Sequence, residues 1–203
     1  MKCVITGHTT GIGKEIYNHF VKQGWEVIGL SRSTGHAIPE NINSIVEVAN
    51  GCDLFINSSY ANGHQTELVE ALAGKDGKMV VLGSIARFEP FCELLPDYAK
   101  DKARVAEACR LQSIRNVDMP LLHLDVAFIE GSTPNLADPD PTNFVGDFVI
   151  EYAEIISAID FWLSNPKIRQ MEFRWKLSPI LYYQLKRLDK DNEILNNLYN
   201  QVK

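Results

Sequence analysis

The sequence predicts an α/β fold in which a parallel sheet is covered by helices on both faces. Short β-rich runs alternate with helix-like segments from the first residue onward, and a glycine-rich turn joins the first run to the first helix. No internal repeat, low-complexity tract or linker interrupts the 203 residues. We therefore expect a single domain over residues 1–203.

The order of the elements follows from composition and apolar spacing. The β-rich runs predict strands at 2–6, 26–30, 53–57, 78–82, 121–128 and 171–177, with a reduced further strand near 36–38. Apolar residues at helical spacing predict helices at 12–23, 41–51, 66–73, 96–116 and 147–163. Gly24 follows the first of these helices, and Pro96 lies at the start of the fourth, where each residue is favoured.

Two segments lie outside this alternation. Residues 131–142 contain Pro134, Pro139 and Pro141, which predicts a loop between a strand and a helix, where a substrate lid would be expected. Residues 178–203 are predicted to form a helical C-terminal extension, because apolar residues recur there at helical spacing. Packing on its own domain is the default interpretation of this tail, and contact with a second subunit is the alternative.

Composition excludes several classes of function. The formal charge is −6 and there is no long basic run, so we expect no nucleic-acid partner. No apolar run is long enough to cross a bilayer, and the first residues lack a signal peptide, which predicts a cytoplasmic protein without a membrane partner. Four scattered cysteines without a CxxC pair predict reduced thiols and no metal site.

The glycine-rich turn after the first strand indicates phosphate binding. Gly7 permits a tight turn, Gly11 lets the backbone approach a ligand, and Gly13 lets the helix pack closely on the strand. The following helix offers free N–H groups and a partial positive charge to a pyrophosphate. A tight turn without a ligand is the alternative. The predicted binding residues of this turn are Gly7, Thr9, Thr10, Gly11, Ile12 and Gly13.

The end of the second strand favours NADP over NAD. A carboxylate there would accept hydrogen bonds from an adenosine ribose, but the residues are Ser31, Arg32 and Ser33. Arg32 can pair with a 2′-phosphate, and the two hydroxyls add donors. NAD stays possible, since Arg32 could instead be a solvated surface residue.

Three further residues form a candidate catalytic group. Tyr98 and Lys102 are four residues apart on the predicted long helix and therefore share one helix face. A nearby ammonium would lower the pKa of the tyrosine and make it an acid–base catalyst at neutral pH. Ser84 follows an apolar strand, at the sheet edge where ligands bind, and could hydrogen-bond a substrate oxygen. An ordinary solvated helical pair is the alternative for the tyrosine and lysine.

These motifs together resemble the short-chain dehydrogenase/reductase family of the compact, single-domain type. The resemblance covers roughly residues 1–177 and depends on the glycine turn, on Asn57-Ser58-Ser59, on Gly83-Ser84-Ile85 and on the spacing of Tyr98 and Lys102. It implies a Rossmann-type doubly wound sheet, here shortened relative to the family.

The same resemblance implies roles for individual residues. Tyr98 would be the general acid/base, and Lys102 would assist it and bind the ribose of the cofactor. Ser84 would steady the substrate oxygen. Asn57 would support the central strand and, with Ser58 and Ser59, border the cofactor. Thr133 would contact the pyrophosphate or the nicotinamide amide.

The chain departs from the family pattern in three places. The Pro-Gly pair expected after the sixth strand is replaced by residues 127–131. No asparagine lies between His64 and Ser84, so the family's fourth catalytic residue has no match. The aspartate that contacts adenine is not evident between Arg32 and Asn57.

The sequence therefore predicts an NADP-dependent oxidoreductase that transfers a hydride between nicotinamide and a carbonyl or alcohol carbon. The alternative is an NAD(P)-binding module with little or no catalysis and a regulatory or scaffolding role. The resemblance also implies a homo-oligomer, with a dimer favoured. Phe88, Phe91 and Leu94 could line the substrate pocket or belong to the core, and we interpret His123 and Asp125 as structural.

Overall fold

The computed structural model describes residues 1–88, 96–129 and 149–174. Within these ranges the strands are β1 (Lys2–Thr6), β2 (Glu26–Leu30), β3 (Leu54–Asn57), β4 (Lys78–Ser84), β5 (Leu121–Val126), β6 (Phe128–Ile129), β7 (Val149–Ile150) and β8 (Gln170–Arg174). The α-helices are α1 (Gly11–Lys22), α2 (Ile42–Ala49), α3 (Gln65–Ala71), α4 (Pro96–Arg115) and α5 (Tyr152–Ser164).

Six strands form one parallel sheet in the order β2-β1-β3-β4-β5-β8. The chain runs from β1 outward to β2 and then returns to the other side of β1, so the strand order reverses between β1 and β3. Ligands of open α/β sheets bind in the crevice at such a reversal, outside the carboxyl ends of the strands. The register places Thr6 beside both Leu30 and Asn57, which brings three strand ends to this point.

Helices cover both faces of the sheet, as predicted. Successive residues of β1 point to opposite faces: Cys3 and Ile5 belong to one buried cluster and Val4 to the other. Helices α1 and α5 supply the first cluster, and α2, α3 and α4 supply the second. The helical core residues include Ile16, Phe20, Ile155, Ile159 and Trp162 on one face and Ile45, Leu68, Val69, Val105 and Cys109 on the other. Each large apolar side chain buried in this way contributes about 1.5–3 kcal/mol.

The predicted strand at 36–38 is wrong. The chain instead forms a 3-10 turn at Arg32–Thr34, directly after β2. The Ser31 amide donates to the Thr34 hydroxyl over 2.9 Å, and Gly35 ends the turn at a φ of 79°. The His36 amide then donates back to the Ser31 carbonyl over 2.9 Å, so it bonds within this segment and not to a neighbouring strand.

Two predicted boundaries also change. The predicted strand at 121–128 divides into β5 and β6, and β6 pairs with β7 in a separate two-stranded sheet. The helix predicted at 147–163 begins later, at Tyr152, because Glu151 and Glu154 form a capping box there. The predicted loop at 131–142, the end of the predicted strand at 171–177 and the helical extension at 178–203 lie outside the described residues.

Cys3, Cys52 and Cys109 are free and buried, and burial raises the pKa of each thiol. Cys92 lies outside the described residues.

No helix in the described ranges is both long and apolar enough to span a membrane.

Candidate active site

The glycine turn forms the floor of the crevice beside β1. Gly7 adopts a φ of 72°, a conformation that favours glycine, and its amide donates to the Leu30 carbonyl over 2.9 Å. A Cβ on Gly13 would overlap with the carbonyl oxygen of Gly7 and the hydroxyl of Ser58, so α1 packs closely on the turn. Around Gly11 there is no atom within 4 Å of where a Cβ would lie, so the backbone is open to a ligand.

Ser58 and Ser59 connect the end of β3 to the end of β1. The Ser58 hydroxyl donates to the Thr6 carbonyl, and the Ser59 hydroxyl donates to the Thr6 hydroxyl over 3.1 Å. These bonds hold the glycine turn between two strand ends. Both serines also line the crevice, so they can support the turn and border a ligand.

A cavity of about 850 Å³ lies over this turn. Its lining includes the residues predicted to bind the cofactor at the turn and after β2: Gly7, Thr9, Thr10, Gly11, Ile12, Gly13, Ser31, Arg32, Ser33, Ser58 and Ser59. His36 and Glu40 also line it, and the sequence analysis missed both. Glu40 brings a carboxylate to the Arg32 end of the cavity, although none follows β2 directly.

A second cavity, of about 450 Å³, contains the candidate catalytic group. Ser84 comes from the end of β4, and Tyr98 and Lys102 come from the first turns of α4. Most of the remaining lining is apolar. Both cavities are lined by Ile12, Ser58, Tyr60 and Ile129, so they adjoin. The structure thus brings Ser84, Tyr98 and Lys102 together, next to the glycine turn.

Tyr98 contacts the serine through its hydroxyl and the lysine through its ring. Its side chain hydrogen-bonds with that of Ser84, and the Ser84 hydroxyl also accepts from the Ala86 amide over 3.1 Å. Burial raises the pKa of Tyr98, and the bond to Ser84 opposes part of that rise. The predicted lowering of this pKa by Lys102 is therefore wrong for the ligand-free protein. The Lys102 Nζ lies 5.5 Å from the centre of the Tyr98 ring.

Lys102 donates to two neutral acceptors inside the protein. Its Nζ lies 2.7 Å from the Oε1 of Gln65 and 3.0 Å from the Leu82 carbonyl oxygen. Burial lowers the pKa of Lys102 to about 8, although the charges of Asp125 and Asp101 oppose that effect. The ammonium is therefore mostly charged at pH 7 and loses its proton within the mildly alkaline range.

Asn57 is fully buried and is not among the described residues that line either cavity. Its Nδ2 donates to the Gln65 carbonyl over 3.1 Å, and the Gln65 Nε2 donates to the Asn57 carbonyl over 3.1 Å. Asn57 therefore connects β3 to α3 beneath the crevice. Thr133 lies outside the described residues.

Sequence reasoning missed two residues of this site, Gln65 and Tyr60. Gln65 is the first residue of α3 and lies directly beside Lys102. The ring of Tyr60 packs edge-on against that of Tyr98, with centroids 4.9 Å apart, and its hydroxyl donates to Asp101 over 3.1 Å. The feature of the sequence that could have indicated Tyr60 is its position directly after Ser59.

An ion-pair cluster holds the turn that follows Ser84. The Arg87 Nε and Nη2 both donate to the buried carboxylate of Asp125, over 2.6–3.1 Å, and Nη2 also donates to Glu172 over 2.8 Å. His123, Asp125 and Glu172 could each offer an atom to a metal ion, since these atoms lie within 4.8 Å of one another. Arg87 already pairs with both carboxylates, which disfavours a further cation there. Phe88 packs against the core, whereas Phe91 and Leu94 lie outside the described residues.

Comparison of the sequence with protein-family models and with curated proteins finds no match. Solved structures do match. One is a 3-alpha-hydroxysteroid dehydrogenase from Pseudomonas sp. B-0831 complexed with NADH, at 18% identity and a TM-score of 0.66, covering 89% of this chain and 98% of that one. Another is a small-chain dehydrogenase in complex with NADPH, at 13% identity and a TM-score of 0.68, covering 89% and 99%.

A UDP-N-acetylglucosamine 4-epimerase from Bacillus cereus is also similar, at 16% identity and a TM-score of 0.62. That match covers 86% of this chain and 77% of the epimerase, a smaller share than for the two dehydrogenases. The chain therefore has the Rossmann-type fold that the two dehydrogenases share.

Proposed function

We propose that this protein is an NADP-dependent oxidoreductase that transfers a hydride between a nicotinamide ring and a carbonyl or alcohol carbon. The observation that carries the proposal is the adjacency of the two cavities. One contains the glycine turn, and the other contains Ser84, Tyr98 and Lys102. A dinucleotide across both would have its pyrophosphate at the start of α1 and its nicotinamide end beside Tyr98.

The residues present fit a dinucleotide. Gly7 and Gly13 let the turn pack closely against Ser58 and Ser59, and the backbone at Gly11 is open. The first residues of α1 line the cavity, and their amides have no intrahelical partners. When bound, the nicotinamide ring supplies or accepts the hydride. Lys102 uses two of its three N–H groups on protein acceptors, which leaves one for a ligand hydroxyl.

The protein's own part in the reaction is to orient an oxygen and to move one proton. The Ser84 hydroxyl hydrogen-bonds the substrate oxygen and holds it beside the Tyr98 phenol. In reduction the phenol donates its proton to that oxygen as the carbon gains a hydride, and in oxidation the phenolate takes the proton back. The raised pKa of Tyr98 keeps the phenol protonated in the free protein at neutral pH, as the reductive direction requires. The Ser84 hydroxyl stabilises the phenolate that then forms, since its hydrogen bond lowers the pKa of Tyr98.

Turnover with a carbonyl panel is the direct test. Purified protein should bind NADPH and oxidise it in the presence of some aldehyde or ketone. Tight NADPH binding without turnover on any member of a broad panel would support the alternative, a binding module with a regulatory or scaffolding role. Failure to bind NADPH and NADH alike would exclude both functions.

Arg32 is the residue we propose for the choice of NADP over NAD. It lines the crevice with Ser31 and Ser33, where a 2′-phosphate would lie. Arg32→Ala should weaken NADPH binding roughly 10- to 100-fold, the loss expected for a charge-assisted contact, and should change NADH binding little. Titration of both cofactors against both proteins checks this. An equal loss for the two cofactors would refute this role of Arg32. A wild-type preference for NADH would instead favour selection of an unphosphorylated ribose by Glu40, which lines the same cavity.

A further inference from the structure

We infer that Gln65 is a positioning residue that holds the Lys102 ammonium between α3 and β4 and leaves its third proton for an acceptor in the catalytic cavity. The inference deepens the proposed function, on which its catalytic consequence rests. The contact itself is a property of the protein and can be tested without turnover.

Both N–H groups and the oxygen of the Gln65 carboxamide form hydrogen bonds within the protein. Its Oε1 accepts from the Lys102 Nζ at 2.7 Å, and its Nε2 donates to the Asn57 and Leu82 carbonyls at 3.1 and 3.0 Å. The side chain is about 1% exposed. Two backbone carbonyls fix the amide from behind, so its oxygen can point only toward the lysine. A rigid acceptor of this kind sets the position of a flexible lysine side chain.

Lys102 is correspondingly constrained. An ammonium has three N–H donors, and among the described residues two are accepted by Gln65 and the Leu82 carbonyl. Because Lys102 also lines the cavity with Ser84 and Tyr98, the remaining donor serves that cavity. Without Gln65 the side chain would keep only the Leu82 carbonyl as a fixed partner.

The acceptors that bind Nζ are neutral, whereas charged and titratable groups surround it at longer range. These groups are Asp125 and His123 on β5, Asp101, Cys109 and Tyr98 on α4, and Tyr60 after β3. A neutral acceptor stabilises the ammonium less than a carboxylate would, so burial still lowers the pKa of Lys102 to about 8. Changing the charge of residue 65 should therefore move this pKa in a direction set by the substitution.

The test is competitive acetylation with acetic anhydride at a series of alkaline pH values. Mass spectrometry gives the extent of acetylation of each lysine, and its dependence on pH gives the midpoint for Lys102. Two variants are compared with the wild type. Gln65→Glu keeps the shape and puts a carboxylate against Nζ, and Gln65→Met keeps the length and removes the acceptor. Lys100, on the same helix with an exposed side chain, is the internal control. Circular dichroism establishes that each variant is folded, and if Gln65→Met is not, Gln65→Glu alone decides.

We expect the acetylation midpoint of Lys102 to rise by about one unit or more in Gln65→Glu and to fall in Gln65→Met, with Lys100 unchanged. The same midpoint for Lys102 in all three proteins would overturn the inference. In turnover, Gln65→Met should lower kcat roughly 10- to 100-fold, and the pH profile of Gln65→Glu should shift toward higher pH. Shifted midpoints with unchanged kcat and pH profile would overturn the positioning role. A wild type that binds no nicotinamide cofactor would instead refute the proposed function, while the midpoints would still test the contact.

Discussion

Two polar clusters flank the end of β4. Each holds one cation, but the groups that accept hydrogen bonds from that cation differ. The lysine cluster consists of Lys102, Gln65 and the Leu82 carbonyl. The arginine cluster consists of Arg87, His123, Asp125 and Glu172. Lys102 bonds to neutral acceptors, whereas Arg87 bonds to two carboxylates.

The difference in acceptors indicates a structural role for Arg87 and a role toward a ligand for Lys102. Because Arg87 is paired with anions in a planar, forked geometry, its charge is neutralised, and the pair fixes the turn after Ser84. Because Lys102 has no carboxylate bonded to it among the described residues, its pKa lies close to neutral and its charge can act on a ligand. Under the proposed function, the cation that is buried without a bonded anion marks the reactive side of β4.

The largest expected effect is on the arginine cluster. Asp125→Asn should lower the free energy of unfolding by about 3 kcal/mol, the low end for a broken buried ion pair, because Arg87 loses its fully buried partner and keeps only the partly exposed Glu172. Urea unfolding measures the change. Glu107→Gln, which breaks the exposed Glu107–Arg110 pair, is the matched control and should leave stability unchanged. Equal stability of Asp125→Asn and wild type would show that the two clusters do not differ as described.

Lys102 should make stability depend on pH. Below pH 8 the lysine is charged in the folded and in the unfolded chain, so the cost of burial is present in full. Between pH 8 and 10.5 the folded protein has released the proton that the unfolded chain still holds, so stability gains about 3 kcal/mol as pH rises. Lys102→Met should remove this gain, which unfolding curves of both proteins at several pH values would show. Parallel curves would contradict the lowered pKa.

A smaller effect is expected at Gly83, which separates the clusters. A Cβ there would overlap with His123 and Asp125, although the Gly83 backbone itself is not in the left-handed region. Gly83→Ala should therefore cost about 1–3 kcal/mol through overpacking. His123→Ala makes room for the added methyl group, so the cost should shrink in that background. Additive losses in the double variant would argue against direct contact.

Much of the fold could be predicted from the sequence because a parallel sheet has simple patterns. The bounds of β1 and β2 match their predictions, since continuous apolar runs end at glycine or polar residues. The strand predicted at 36–38 is wrong for a local reason, since the His36 amide bonds back to the Ser31 carbonyl. The pairing of β6 with β7 could not be foreseen, because two-residue strands leave no periodic signal.

The site was only partly predictable. Helical spacing places Tyr98 and Lys102 on one face, but it does not say which acceptors compete for the ammonium. Gln65, on another helix, accepts a hydrogen bond from this ammonium. The predicted lowering of the Tyr98 pKa by Lys102 is wrong. The sequence of α3 does not mark Gln65, because its role depends on a contact with Lys102 on another helix.

The most direct test of the account is Tyr98→Phe, which removes one hydroxyl from the catalytic cavity. We predict that NADPH binding stays within about twofold of wild type while turnover on the best carbonyl substrate falls at least roughly 100-fold, the size of a lost general acid. Tyr17→Phe, on α1 beside His8, is the control and should retain turnover. Turnover of Tyr98→Phe equal to that of wild type would contradict the central claim that this phenol moves the proton.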